Sequence, residues 1–411
     1  MTQSARDEFA SGWRMLVACV VGVAFSITTM AVTYTLGSFV GPLTDEFGWT
    51  RQQILSVAIF TTAAFIPASF AAGWIVDRYG ARRLVTLSQA AFGLGFIALG
   101  LWTRSLASFY ALYFLLPLLA VGTTQTVFSK VLLRHFVKGR GLALGIALSG
   151  TGLCVLVMPS LLAWVIGEWG WRAGYVAAGL MPLLVALPFS LAWIHDAPQP
   201  AAAQAPAAGP EPAVPVGEPT VGVRQAMLGY RFWVLAAAFF VASGAATGLL
   251  LNVVPMLTDR GHDPVTAGAA LSSVGLSVVV GRLLVGALVD RYWAPLVGAL
   301  VLMPAGIAVA GLYQDSLSWS MTLALLVAAG MATGAETDLC AYLVSRYFGV
   351  RHFGKIYAAQ TVAIALGAAT FSPLFGWIYD RFGSYDYAML LAGGGYALCG
   401  LLILTLGRYP K

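Results

Sequence analysis

Charge is scarce in this chain of 411 residues: Asp, Glu, Lys and Arg together make up 10% of it. A soluble domain carries about 25%, so a water-soluble fold is excluded. Histidine and cysteine are rarer still, at four each. Cys19, Cys154, Cys340 and Cys399 all fall inside apolar runs, which argues against a disulfide framework. His135, His195, His262 and His352 sit in or near the breaks between runs and give no metal-ligand spacing with the cysteines. No glycine-rich phosphate loop and no nucleophile elbow occurs. The chain is therefore not expected to be an enzyme or an ATP-driven pump, or to hold a metal or cofactor. A proton or counter-anion gradient is left as its energy source.

What is present is apolar length. Hydrophobic residues make up 59% of the chain, and the mean hydropathy is +0.82. Twelve apolar runs cover roughly 14–42, 52–76, 84–102, 107–133, 141–166, 173–194, 231–257, 266–289, 295–313, 318–345, 355–379 and 386–407. Runs of about 20 residues cross a hydrocarbon core as helices. The lack of strict polar/apolar alternation argues against barrel strands. The prediction is an all-α protein of twelve transmembrane helices with the lipid bilayer as its partner. The opening "MTQSARDEFASGWR" lacks the pattern of a cleaved signal peptide, so the first run is expected to stay as a span.

The net charge of +6 reports orientation. Arg78, Arg82, Arg83, Arg134, Lys138 and Arg140 fall on the face that carries the termini, whereas Arg51, Arg104, Arg172, Arg260 and Arg381 fall on the other. The positive-inside rule then places both termini in the cytoplasm of a bacterial-type inner membrane. The distribution gives no case for nucleic acid.

Between the sixth and seventh runs, Ala197 to Thr220 holds seven prolines in 24 residues and no aromatic. Such a segment cannot bury a core and is expected to be an extended tether. The division predicted is a first half over 1–195, a cytoplasmic linker over 196–229 and a second half over 230–411. One phrase repeats across this division: "GWIVDRYGARR" from Gly73, "GALVDRY" from Gly286 and "GWIYDRFGSY" from Gly376. Asp77 and Asp290 lie 213 positions apart, and the same offset carries Asp380 back to Gly167 in "AWVIGEWGWR", an eroded fourth copy. The copies alternate between membrane faces, as inverted three-helix repeats nested in parallel halves require. That architecture gives two exchangeable conformations about one central site, and so points to transport.

The chain resembles the major facilitator superfamily through Gly73, Asp77, Arg78, Gly80, Arg82 and Arg83, with a weaker counterpart at Gly286, Asp290 and Arg291. Within it, "GPLTDEFGWTR", "RHFVKGRGLALGIALSGTGL", "GEWGWRAGY", "RYFGVRHFGKIYA" and "GRLLVGALVDR" are similar to the monocarboxylate and oxalate:formate branch. The resemblance implies a major facilitator fold of 3+3 inverted repeats, a membrane-embedded arginine at Arg282 that receives a carboxylate, and a fourth helix that lines the cavity. It also implies a gating role for the charged loops, in which Asp77 meets Arg134 or a helix N-terminus. Only the copies on the basic face are expected to act as latches. The sequence departs from the branch in two respects. Val278 stands where proton-coupled members carry an aspartate, and neither "MAVTYTLGSF" nor the stretch from Gln360 to Tyr379 holds the branch's basic residue.

Ionisable groups inside a span are expensive and so mark candidate sites. Arg282 lies eight residues before Asp290, hence about 12 Å from the helix end at 1.5 Å per residue. Its fork of donors suits a carboxylate; the alternative is a bond to helix carbonyls. Glu336 and Asp338 share one helix and point about 200° apart. One is expected to carry the proton, with Glu336 favoured; the alternative is a packing ion pair, with Arg282 as one partner. Lys130 supplies either a second cation or a snorkelling side chain. Tyr34, Gln125 and Asn252 are candidate polar contacts to cargo, or helix-packing groups.

The expected function is secondary active transport of a small organic anion, foremost a monocarboxylate, by a monomer using proton symport or anion exchange with alternating access. The alternatives are an exporter of amphipathic or aromatic compounds, since aromatics reach 12%, and a ligand sensor on the same fold.

Overall fold

The computed structural model describes residues 3–136, 140–195, 222–289, 291–314, 317–349 and 352–409. Every regular element among them is a helix, as a chain in hydrocarbon requires when its backbone bonds must close within each segment. Ten stretches are long and apolar enough to span a membrane, one of them the 52-residue run Leu142–Trp193. That run reverses at Gly170, where φ is +82°, and so supplies the fifth and sixth spans. The fourth span is made of Leu106–Leu119 and Gln125–His135. The result is the predicted twelve-helix membrane fold.

The repeat is visible in the turns as well as in the phrase. Gly48 and Gly261, 213 positions apart, take φ of +66° and +88°; Gly170 and Gly383, also 213 apart, take +82° and +69°. Only glycine enters this region without strain. The same reversal therefore recurs at matching places in both halves.

Two spans depart from the expected continuous helices. The first runs as Gln3–Ala24, a single turn Ile27–Met30 and then Gly37–Phe47. The fourth breaks between Leu119 and Gln125 around the 3-10 turn Val121–Thr123. Hydroxyls take up the freed backbone groups. Ile27 N–H donates to Thr123 Oγ1 at 3.0 Å, Thr123 Oγ1 donates to Ala120 O at 2.8 Å and Thr29 Oγ1 donates to Val23 O at 2.9 Å. Ser26 Oγ lies 2.9 Å from Thr29 Oγ1. Short polar side chains that compete for backbone bonds are what a helix break needs.

By backbone proximity the chain forms two compact units. One comprises Met1–Ala197, Leu250–Leu276 and Ser372–Arg381; the other comprises Pro198–Leu249, Ser277–Phe371 and Phe382–Lys411. Residues 196–221, all of the predicted tether and most of the predicted linker over 196–229, lie outside the described residues. In the first unit Phe39 stacks on Tyr175 with ring centroids 3.8 Å apart, and the Tyr113 and Tyr175 hydroxyls lie 3.1 Å apart. The second unit packs its ninth span, Ala294–Gly311, against its twelfth, Asp386–Leu404, at Gly306 and Gly393. A Cβ on either glycine would press on the other's carbonyl oxygen.

The expectation that only the basic-face copies of the repeated phrase make latch-like contacts is corrected within the first unit. Asp380, in the copy at the opposite face, accepts from Arg51 N–H at 3.0 Å and from Gln52 N–H at 2.8 Å. It thereby holds the first turn of the helix Arg51–Leu55. Gly376 permits this approach, because a Cβ there would lie 2.6 Å from Gln52 N. The Arg51 guanidinium pairs with both oxygens of Asp259, at 2.7 and 2.9 Å, and lies 3.6 Å from the centre of the Tyr379 ring.

Near this junction, Glu46 accepts from Trp171 Nε1 and, at 3.0 Å, from Arg172 Nη1. The Arg172 bond foremost, then the Trp171 bond, holds its carboxyl below the usual range. A depressed folded value stabilises the protein above the ordinary carboxylate pKa of about 4.3, and the contribution is lost as pH falls through the folded value. Thermal unfolding measured from pH 6 to pH 3 should therefore show a shallower acid limb in Glu46→Gln than in the parent. At 38% side-chain exposure solvent screening keeps the effect small. Parallel acid limbs would refute the assignment.

Candidate functional site

The eighth span, Pro264–Val289, and the tenth, Trp319–Phe348, meet backbone to backbone. A Cβ on Gly281 would strike Met331 O, and one on Gly334 would strike Val278 O. Small residues at such crossings let membrane helices approach this closely. Arg282 follows Gly281 directly, and Asp338 lies one helical turn after Gly334. The crossing thus brings guanidinium and carboxylate together: Arg282 Nε lies 2.8 Å from Asp338 Oδ2. The Arg282 side chain is 11% exposed and that of Asp338 37%.

The eleventh span, Phe353–Phe382, carries Tyr357 near its start. The rings of Phe353 and Tyr357 stack with centroids 5.3 Å apart and planes at 8°. Tyr357 was not anticipated from the sequence. Its signal was the spacing of Phe353, Tyr357 and Thr361 along one helix face, where Thr361 Oγ1 donates to Tyr357 O. The two carboxylates differ in burial: Glu336 is 6% exposed, and the side chain of Asp338 37%. Asp338, not Glu336, is the partner of Arg282. Val278 is buried and serves the backbone contact with Gly334, so the counter-charge for Arg282 comes from the neighbouring helix.

The other predicted contact residues belong to the first unit. Tyr34 is half-buried in the interrupted first span, Gln125 and Lys130 are half-buried on Gln125–His135, and Asn252 is fully buried. Of the predicted loop residues, Arg82 donates from Nη2 to Leu191 O at 2.8 Å. The Arg78 guanidinium lies 5.4 Å from the centre of the Trp74 ring. Arg83 and Arg291 are exposed and Gly286 is half-buried. Asp290, the surroundings of Gly73 and the side chains of Asp77 and Arg134 lie outside the described residues.

Comparison with known proteins bears on family and fold. The Major Facilitator Superfamily model matches residues 15–359. Among curated relatives, the chain is 25% identical over 407 residues to Monocarboxylate transporter 11 of Homo sapiens, covering 96% of this chain and 83% of that protein. It is 22% identical over 410 residues to the 3-(3-hydroxy-phenyl)propionate transporter of Escherichia coli K12, covering 98% and 96%. Among solved structures, a D-xylose–proton symporter superposes with a TM-score of 0.74 at 14% identity, over 96% of this chain and 97% of that one. This last likeness speaks to the fold alone.

Proposed function

Since the chain belongs to the Major Facilitator Superfamily, and so is a multi-pass membrane transporter and not an enzyme, we propose that it moves a small organic anion by alternating access, with Arg282 receiving the carboxylate. The observation that carries this reading is the 2.8 Å pair of Arg282 and Asp338, set where the eighth and tenth spans touch. Arginine offers a carboxylate two parallel donors, and in the unloaded state Asp338 balances its charge. A cargo carboxylate arriving beside ionised Asp338 would place two anions on one guanidinium. A proton on Asp338 removes that repulsion, and so ties cargo binding to proton binding.

The stacked rings of Phe353 and Tyr357 favour an acid with an aromatic or otherwise flat apolar body. The transporter names among the relatives, one for monocarboxylates and one for an aryl propionate, support the same class. The remaining parts of the reading are a monomer in a bacterial-type inner membrane with both termini cytoplasmic, two six-helix halves joined by the proline-rich tether, and a proton or counter-anion gradient as the driving force. Lys130, Tyr34, Gln125 and Asn252 are assigned to cargo contact, Glu336 to a secondary protonation site, and the Asp77 and Asp290 loops to gating.

Proteoliposomes offered benzoate, 3-phenylpropionate and pyruvate test this reading. Uptake should rise several-fold when the outside is made acid. Asp338→Asn should abolish that stimulation while leaving exchange of internal for external acid. Acid stimulation of equal size in Asp338→Asn would overturn the coupling assignment.

A further inference from the structure

One end of the second unit gathers cations without counter-charges. The described residues there are 222–235, which lead into the seventh span Tyr230–Asp259, then 291–297, 343–349, 352–357 and 402–409. They hold Arg224, Arg231, Arg291, Arg346, Lys355 and Arg408, and neither Asp nor Glu. Like charges gathered on one surface repel, and an anion from outside relieves that repulsion.

Two of these cations are held in place by a strap of backbone. After the twelfth span the chain turns at Gly407, where φ is +70°, and three successive carbonyls are taken by side chains of other helices. Tyr230 Oη donates to Leu406 O at 3.4 Å, Tyr347 Oη donates to Gly407 O, and Arg231 Nη2 donates to Arg408 O at 3.4 Å. Ala294 N–H, the first amide of the ninth span, donates to Tyr409 Oη at 3.0 Å. The strap brings the ring centroids of Tyr347 and Tyr409 to 5.2 Å. The Arg231 guanidinium lies 5.2 Å from the centre of the Tyr347 ring, and that of Arg346 lies 4.7 Å from the centre of the Tyr409 ring. The result is a row of cation, ring, ring and cation. Aromatic faces orient a guanidinium but leave its charge in place, and both Arg346 and Arg408 are exposed.

The neighbouring surface says what kind of anion reaches them. The short helix Val223–Leu228 enters the seventh span, and Trp233 Nε1 donates back to Met227 O at 2.9 Å. Leu228 is 78% exposed and Trp233 61%, with Met227 and Tyr230 exposed beside them. Apolar and aromatic side chains next to arginines are what a bilayer surface receives. A run of cations immediately beside a span attracts acidic headgroups.

We propose that this end of the second unit, at the row Arg231–Tyr347–Tyr409–Arg346 and Arg408, is a docking site for the headgroup of an anionic phospholipid. The guanidinium groups offer paired donors to phosphate oxygens, and Leu228 and Trp233 meet the acyl chains. The site goes beyond the proposed transport and uses none of the residues assigned to cargo.

Scintillation-proximity binding of tritiated phosphatidylglycerol and phosphatidylcholine to the detergent-solubilised full-length protein tests the site. The parent should favour phosphatidylglycerol. Arg346→Gln/Arg408→Gln should bind it about twenty-five-fold more weakly, at about fivefold for each charge near a membrane surface, with phosphatidylcholine unaffected. Arg346→Lys/Arg408→Lys should keep most of the affinity, which separates charge from a folding defect. Arg104→Gln, at the opposite face, should bind as the parent does. Equal affinity of the parent for the two lipids would overturn the site, and so would parental binding of phosphatidylglycerol in the Gln pair. A fall of the same size in Arg104→Gln would replace the site with net charge alone. Displacement of the lipid by inorganic phosphate, but not by chloride at the same ionic strength, would give the site to a free anion and refute the lipid assignment.

Discussion

Arg282→Ala is expected to cut carboxylate uptake by about a hundredfold or more, while the protein still inserts and elutes as a single species. The magnitude follows from the cost of removing the largely buried member of a hydrogen-bonded charge pair, about 2–5 kcal/mol, which spans roughly thirtyfold to several-thousandfold in affinity. The loss has two sources. The cargo carboxylate loses its fork of donors, and Asp338 loses the cation that sits 2.8 Å away. Arg282→Lys should fall between, because an ammonium offers charge without parallel donors. Asp338→Ala in the Arg282→Ala background should add little further loss, since two groups acting as a unit are not additive. Counterflow of labelled 3-phenylpropionate in proteoliposomes measures all three variants. Uptake within threefold of the parent in Arg282→Ala would remove Arg282 from the cargo site.

Much of this was legible in the sequence because it rests on period and offset. Twelve apolar runs specify spans, and the 213-residue repeat specifies their nesting. The turn glycines Gly48, Gly261, Gly170 and Gly383 then fall at matching offsets with matching positive φ. The angular separation of Glu336 and Asp338 follows from helix geometry alone, and only Asp338 of the two pairs with Arg282.

Three features were not legible, each for a physical reason. The breaks in the first and fourth spans are built from serine and threonine, which hydropathy reads as tolerable helix residues, and no proline lies between Ala24 and Gly37 or between Leu119 and Gln125. The choice of Asp338 for Arg282 depends on where Gly281 and Gly334 let two backbones touch, a matter of packing rather than of period. The bond from Asp380 to the start of the second span joins residues 329 apart in sequence, beyond the reach of any local pattern.

That long-range bond leads to the second large effect. Asp380→Ala is expected to raise amide exchange in the peptide covering Arg51–Leu55 by about tenfold. The carboxylate takes two first-turn N–H groups of this helix and sits at its positive end. Removing such a cap costs about 1–2 kcal/mol, and 1.4 kcal/mol is tenfold in a local opening equilibrium. Asp380→Asn should give a smaller rise, because an amide oxygen still accepts but carries no charge. Thr50 and Gln53 form their own capping box, which holds the helix start in place when Asp380 is removed and confines the effect to the junction. The four cysteines are buried, so unchanged thiol labelling in the variant separates local opening from general unfolding. The Leu250–Leu276 and Ser372–Arg381 segments come from the second half of the chain and pack in the unit that holds the first. In the proposed alternating-access cycle, Asp380 would part from Arg51 at each turnover. Weakening the bond should therefore alter the steady-state rate of exchange transport as well as amide protection. Protection and transport rate both equal to the parent in Asp380→Ala would show that the third copy of the repeated phrase is a relic of duplication alone.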